Sequence, residues 1–182
     1  MNEIEAQSVN FSETAVKRLS DASRRNQLDL TFRGMNVDKN AIVGTWKLVS
    51  ASSTDSTGQQ LEPPYGANPV GFLTYTEGGR VTALISYAGR KPLPVGAKPP
   101  ALLEEQAQAF KTFLAYGGRY TLDGDKVTHS IEISSIQNYV NRELVRTVKF
   151  QGSRIVLITP ASMVNGKIQT IELVWQRLEE GF

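Results

Sequence analysis

The 182-residue sequence contains no cysteine and a single histidine. The missing thiols exclude disulfide bonds, thiolate metal sites and cysteine nucleophiles, and one imidazole excludes a metal centre built from several histidines. The motifs of phosphate-binding loops, dinucleotide-binding turns and serine nucleophile elbows are also missing. We therefore expect a protein that works without a metal or any other cofactor.

The sequence also lacks a long apolar run and an excess of either charge. No stretch approaches the roughly 20 consecutive apolar residues of a membrane span. Twenty basic residues against 18 acidic ones leave a net charge of +2, so we expect neither a membrane nor a nucleic acid as partner. The N-terminal MNEIEAQSVNFSETA has no apolar core of a secretory signal, which predicts a cytoplasmic location.

The length and the hydrophobic fraction of 40% fit one globular domain with a short appendage. We assign the domain to residues 41–182 and an N-terminal extension to residues 1–40. In the extension, Ser12 is a candidate N-cap and apolar residues recur on one helical face, which predicts an amphipathic helix at residues 12–25. This segment is either a lid over the domain or a tail without a role.

From Val43 onward, short segments of alternating apolar and polar residues are separated by turn dipeptides. Asp123-Gly124 and Asn165-Gly166 are typical of tight antiparallel hairpins. One helix is predicted in PALLEEQAQAFKTFL, with an apolar face formed by Leu103, Ala107, Phe110 and Leu114. The alternation predicts eight strands, at residues 43–52, 70–77, 80–87, 115–122, 126–135, 142–150, 154–159 and 167–177.

An open sheet of eight strands would leave two unpaired edges and an uncovered apolar face. Closure of the sheet removes both problems. We therefore predict an all-β fold, an eight-stranded antiparallel up-and-down β-barrel with an N-terminal helix and one helix between the third and fourth strands. The interior of such a barrel is either filled by side chains or holds one small ligand.

Two motifs lie at the ends of the predicted barrel. Gly44-Thr45-Trp46 on the first strand and Trp175-Gln176-Arg177 on the last resemble the paired signatures of the calycin superfamily. The intervening strings, including PYGANPVGFLTYTEGGRV and FLAYGGRYTLDGDKVTHSIEIS, resemble in order the lipocalin-like domain family of bacteria and fungi over residues 41–178. The resemblance implies a barrel with a cavity, in which Trp46 closes the narrow end and Arg177 packs across its ring. Members often carry two adjacent histidines where this chain has His129-Ser130.

Period-two alternation assigns one face of each strand to the interior. On the fifth and sixth strands His129 and Arg146 fall among apolar neighbours on that face, so we expect them to share the cavity. The same alternation puts Ile133 and Phe150 inside. The remaining candidate ligand-binding residues are interior tyrosines and apolar side chains of the second to sixth strands: Tyr116, Tyr120, Tyr75, Leu73, Ile85, Tyr87, Ile131 and Val148.

Burying a guanidinium without a partner is costly. We therefore expect Arg146 either to bind an oxygen atom of a ligand or to have an internal structural role. We expect a cofactor-independent cyclase or isomerase of natural-product type that acts on a small hydrophobic or amphipathic molecule. Arg146 would polarise an oxygen, and His129 would be a general acid or base with an ordinary pKa of about 6.5.

Two alternatives stay open. One is a non-catalytic carrier or sensor of the same kind of ligand. The other is a filled barrel that acts through its surface, with His129 and the tyrosines as structural residues. The sequence is compatible with a monomer or a homodimer.

Overall fold

The structure of the protein, a computed structural model, describes residues 39–92, 96, 101–164 and 166–179. The predicted helix at residues 12–25 lies outside the described residues, and the division of the chain at residue 40 stays a prediction. In the described ranges, no helix has both the length and the apolar character that crossing a membrane would need.

The described residues form nine antiparallel strands, two α-helices and one 3₁₀ turn at Gln137–Tyr139. The helices are α1 (Lys39–Ile42) and α2 (Ala101–Lys111). The strands are β1 (Gly44–Asp55), β2 (Val70–Tyr75), β3 (Arg80–Ser86), β4 (Phe113–Asp123), β5 (Lys126–Ser134), β6 (Glu143–Gln151), β7 (Arg154–Ile158), β8 (Ser162–Val164) and β9 (Lys167–Arg177).

Strand β1 pairs with β2 along one edge and with β9 along the other, which closes the sheet. Strands β1 to β7 and β9 therefore form the eight-stranded antiparallel up-and-down barrel that the sequence predicts. The short strand β8 was not predicted. It pairs with the first residues of β9, and β7 pairs with the later ones. Pro160, which has no N–H to donate to a ladder, interrupts the segment between β7 and β8.

Helix α2 confirms the helix between the third and fourth strands, but its predicted apolar face is wrong. Leu103 is 61% exposed and Phe110 is 59% exposed. Leu114 belongs to β4 and is buried in the barrel wall, because the chain turns at Thr112 and leaves the helix before that position.

Two β-bulges change which side chains face the interior. The ladder shifts between Leu48 and Ser50 on β1, and between Gly117 and Gly118 on β4. Beyond the second bulge, Ile133 is 68% exposed, so its predicted inward position is wrong. Phe150 keeps an inward register opposite a buried residue of β7, but it lies near the barrel end and is 38% exposed.

Trp46 fills the barrel end next to α1. The Cζ atom of Arg177 lies 4.1 Å from the centroid of the Trp46 ring, and its guanidinium also donates a hydrogen bond of 2.6 Å to the carbonyl of Val43. The indole N–H donates to the carbonyl of Ile42 at 2.9 Å. A Cβ atom at Gly44 would lie 2.5 Å from Arg177, and its φ of +131° favours glycine.

The hairpins from β2 to β3, from β4 to β5 and from β6 to β7 are short and lie at the Trp46 end. The connections from β1 to β2, from β3 to β4 and from β5 to β6 are longer and lie at the opposite end, which we call the loop end. The first two of them are joined to each other, since the N–H of Ala88 in the β3–β4 connection donates to the carbonyl of Tyr65 in the β1–β2 connection at 3.0 Å. Access to the interior is therefore expected at the loop end.

We expect Gly118→Ala to destabilise the barrel by about 2–4 kcal/mol. A Cβ atom there would lie 2.0 Å from the carbonyl oxygen of Ser130 on the paired strand. The matched control is Gly117→Ala, whose Cβ would lie 3.4 Å from the nearest side-chain atom and should change stability by no more than about 1 kcal/mol. Urea unfolding measures the stability of both variants. Equal unfolding midpoints for the two variants would contradict the close approach of Gly118 to Ser130 in the bulge.

Candidate functional site

His129 lies at the centre of a buried polar chain. Its side chain is 0% exposed, its Nε2 atom lies 2.7 Å from the hydroxyl of Tyr75, and its Nδ1 atom lies 2.9 Å from the hydroxyl of Tyr116. We call these three residues the Tyr-His-Tyr chain. Because both ring nitrogens are engaged, the imidazole has no nitrogen left to contact a ligand.

Three different strands position the Tyr-His-Tyr chain. Tyr75 is the last residue of β2, Tyr116 lies on β4, and His129 lies on β5 opposite Tyr120. All three side chains are buried, as period-two alternation predicts. The sequence placed them on the interior face, but it did not predict that the two phenols would bind the imidazole.

The protonation state of His129 differs from the expectation. Burial and, to a smaller extent, the positive charge of Arg146 lower the pKa of His129 to about 3. The expected ordinary pKa is therefore wrong, and the imidazole is neutral near neutral pH. A neutral imidazole has one N–H and one acceptor nitrogen, so it donates to one tyrosine and accepts from the other.

Both phenols of the Tyr-His-Tyr chain also stay protonated. Burial raises the pKa of Tyr116 to about 12, although the charge of Arg146 opposes part of that rise. Burial likewise raises the pKa of Tyr75 well above its ordinary value. The chain as a whole therefore carries no charge in the physiological pH range.

Arg146 brings a positive charge to the same interior. It lies on β6 opposite the buried Val127, so the register places it on the inward side, and its side chain is half-buried. Its Nη1 atom donates to the carbonyl of Val145 at 2.8 Å, and no carboxylate among the described residues lies within ion-pair distance. The charge influences the ionisation of Tyr75, Tyr116 and His129. Arg146 thus lies near the Tyr-His-Tyr chain without a described counter-charge.

Three further tyrosines gather at the loop end. The rings of Tyr65 and Tyr87 pack edge to face with centroids 5.0 Å apart. Burial raises the pKa of Tyr65, and the neighbours that affect its ionisation include Tyr139 and Arg146. We call Tyr65, Tyr87 and Tyr139 the tyrosine rim. Sequence reasoning missed Tyr65 and Tyr139, which lie outside the strands; the only signal was an aromatic residue within each of two polar connections.

The other predicted ligand-binding residues line the barrel. Tyr120 donates its hydroxyl to the carbonyl of Thr76 at 3.0 Å and packs edge to face on Tyr75, so its polar atom is committed to the β2–β3 hairpin. Tyr87 is half-buried. The remaining ones are buried in the hydrophobic core: Leu73, Ile85, Ile131 and Val148. Their contact with a ligand stays a prediction.

A pocket of about 280 Å³ lies between α2 and the segment that follows β3. Its walls include Arg90, Glu105 and Thr112, but neither His129 nor Arg146. The guanidinium of Arg90 lies 5.2 Å from the ring centroid of Phe113 and donates to the carbonyl of Thr112 at 3.4 Å. The pocket therefore belongs to the loop end and is separate from the Tyr-His-Tyr chain.

We expect the stability of the protein to fall as the pH falls, partly because His129 is buried in its neutral form beside Tyr75, Tyr116 and Arg146. Its pKa is about 3 in the folded state and about 6.5 in the unfolded state. Between these values the unfolded chain binds one more proton, which costs up to about 1.4 kcal/mol of stability per pH unit. This contribution is complete above the unfolded pKa and is lost on acidification.

The titration of His129 is tested by urea unfolding of the wild type and of His129→Gln between about pH 7 and pH 4. The variant keeps a polar side chain but does not titrate, and the carboxylates of both proteins titrate alike. The stability advantage of the wild type should shrink as the pH falls. A constant difference would show that His129 is not held neutral by the fold.

Comparisons with known proteins identify the family of this chain. Residues 43–178 match the lipocalin-like domain family. The curated proteins contain no match. Among solved structures, a lipocalin-like protein from Bacteroides uniformis is 12% identical with a TM-score of 0.39, and the alignment covers 76% of this chain and 99% of that chain. Because the family match spans most of the sequence, the chain belongs to the lipocalin-like domain family, as its motifs predict.

Proposed function

We propose that the protein binds a small, largely apolar molecule in the barrel and converts it by a cofactor-independent cyclisation or isomerisation. Lipocalin-like folds generally bind small hydrophobic ligands, which supports the binding part of the proposal. The conversion part is supported mainly by Arg146. This residue is half-buried near the Tyr-His-Tyr chain, and no described carboxylate neutralises its charge.

The cost of Arg146 argues for a ligand. A half-buried guanidinium loses part of its water, and among the described residues Arg146 gains one carbonyl partner, that of Val145, so this loss is poorly compensated. A barrel whose interior served only as a packed core would be more stable with an apolar residue at this position. A ligand oxygen would supply the missing acceptor, and a charge-assisted hydrogen bond to it would be strong in this environment.

Such a site is sufficient for chemistry within one molecule. In a cyclisation a σ bond forms between two parts of the ligand as one of its π bonds is lost, and in an isomerisation a proton leaves one ligand atom and another ligand atom gains one, so the composition of the ligand does not change. Holding a flexible molecule in its reacting geometry supplies up to about 7–11 kcal/mol. Arg146 would polarise a carbonyl oxygen, while the neutral His129 would orient the phenols rather than exchange protons with the ligand itself.

The ligand would enter at the loop end. The opposite end holds Trp46 and Arg177 in contact, whereas the loop end carries the tyrosine rim and the pocket of about 280 Å³. Tyr65 of this rim lies close enough to Arg146 for the charge of the arginine to influence the ionisation of its phenol. We retain residues 1–40 as a candidate cover for the barrel mouth.

One observation favours the second candidate, a carrier or sensor. Both nitrogens of His129 are engaged, and its low pKa leaves it neutral, so the Tyr-His-Tyr chain offers no base of moderate strength to the ligand. A molecule held by Arg146 alone would be bound and released unchanged.

Native mass spectrometry of the purified protein identifies a co-purified molecule, and incubation of that molecule and its open-chain isomers with ligand-free protein tests conversion. We expect a product of equal mass and altered connectivity. Arg146→Met should lower the rate at least tenfold, equivalent to about 1.4 kcal/mol. Deletion of residues 1–25 should also lower it if the extension covers the site.

The matched control for that experiment is Arg119→Met, which removes the same charge from the exposed outer surface, where Arg119 pairs with Glu132. It should convert the molecule at the wild-type rate. Recovery of every tested isomer unchanged would identify a carrier. A wild-type rate in Arg146→Met would exclude the assigned role of the guanidinium.

A further inference from the structure

The Tyr-His-Tyr chain contains more protons than hydrogen bonds. Tyr75, neutral His129 and Tyr116 carry one polar proton each, but only two hydrogen bonds join them. Whichever nitrogen of His129 carries its proton, one phenol accepts from the imidazole and keeps its own O–H free. The tautomer of His129 decides which phenol this is.

The surroundings of the two phenols are different. Tyr75 is 1% exposed and packs against the ring of Tyr120, with centroids 4.8 Å apart. A free O–H on Tyr75 would have no acceptor among the described residues, at a cost of about 1–3 kcal/mol. Tyr116 is 8% exposed. Arg146 lies opposite Val127, two residues from His129 on the inward face of β5, and its charge influences the ionisation of both phenols. The half-buried Tyr139 influences that of Tyr116.

The chain therefore favours the tautomer in which Nδ1–H of His129 donates to the oxygen of Tyr116 and Tyr75 donates to Nε2. The O–H of Tyr116 is then free to donate to a ligand. A hydrogen bond received from the imidazole polarises that O–H and strengthens it as a donor. His129 is in this arrangement a positioning residue, because it acts through Tyr116.

We propose that Tyr116 and Arg146 together form an oxyanion-binding site, in which the hydroxyl of one and the guanidinium of the other hold a single ligand oxygen. The hydroxyl of Tyr116 and the guanidinium of Arg146 are both hydrogen-bond donors, and neither is paired with a carboxylate among the described residues. The ligand class is a small apolar molecule that ends in an enolate, phenolate or carboxylate oxygen. The site rests on the proposed function only in needing a ligand inside the barrel, and it does not depend on a reaction.

The test uses 4-nitrophenol as probe, because its absorbance distinguishes phenol from phenolate. We expect the wild type to bind the phenolate at least tenfold more tightly than the phenol, which lowers the pKa of the bound probe by about one unit or more. The methyl ether, 4-nitroanisole, cannot ionise and should bind without this pH dependence. Equal affinity for the two forms of 4-nitrophenol, or no binding, would overturn the proposal.

The variants Arg146→Met and Tyr116→Phe should each lose most of the phenolate preference, and Arg119→Met on the outer surface should keep it. Retention of the full preference by either of the first two would overturn the proposal. Cooperative urea unfolding checks the fold of each variant. If Tyr116→Phe does not fold, the wild type and Arg146→Met decide the question. A phenolate preference, combined with recovery of every isomer of the co-purified molecule unchanged, would contradict the cyclase while leaving the oxyanion site intact.

Discussion

A neutral imidazole held between two phenols is the constraint on which the rest of the structure depends. The three residues come from β2, β4 and β5. The hydrogen bond between Tyr75 and His129 joins two strands that are distant in sequence, and the one between Tyr116 and His129 joins the two strands of a hairpin. A slip of one residue in any of these ladders would turn a side chain to the outer surface and leave buried polar atoms without partners. The close approach at Gly118, in the bulge of the β4–β5 pair, belongs to the same register.

Two arginines show how the same group serves two purposes in one barrel. Arg177 has three protein partners at the closed end, since it covers the ring of Trp46 and donates to the carbonyls of Ala41 and Val43. Within the described part of the chain, Arg146 has one carbonyl partner and lies near three groups that carry no negative charge, Tyr75, Tyr116 and His129. The first arginine is explained by the structure alone. The second is explained best by a ligand, and this contrast is the strongest support for a binding role of the interior.

The sequence was informative where one short-range pattern decided the outcome. Alternation and turn dipeptides predicted the barrel strands and the burial of His129, and the paired motifs predicted the family. The position of Ile133 was not predictable from alternation, because a bulge adds one residue without a composition signal. The pKa of His129 and the place of Tyr65 depend on contacts among several elements, which no local pattern contains. The cytoplasmic location and the state as monomer or homodimer remain predictions.

The tautomer of His129 tests the central claim most directly, and the single histidine of the chain makes the measurement unambiguous. A long-range proton–nitrogen NMR correlation of uniformly labelled protein reports which ring nitrogen carries the proton. We expect a neutral ring with the proton on Nδ1, unchanged between about pH 8 and pH 5. A proton on Nε2, or an imidazolium signal by about pH 5, would contradict it.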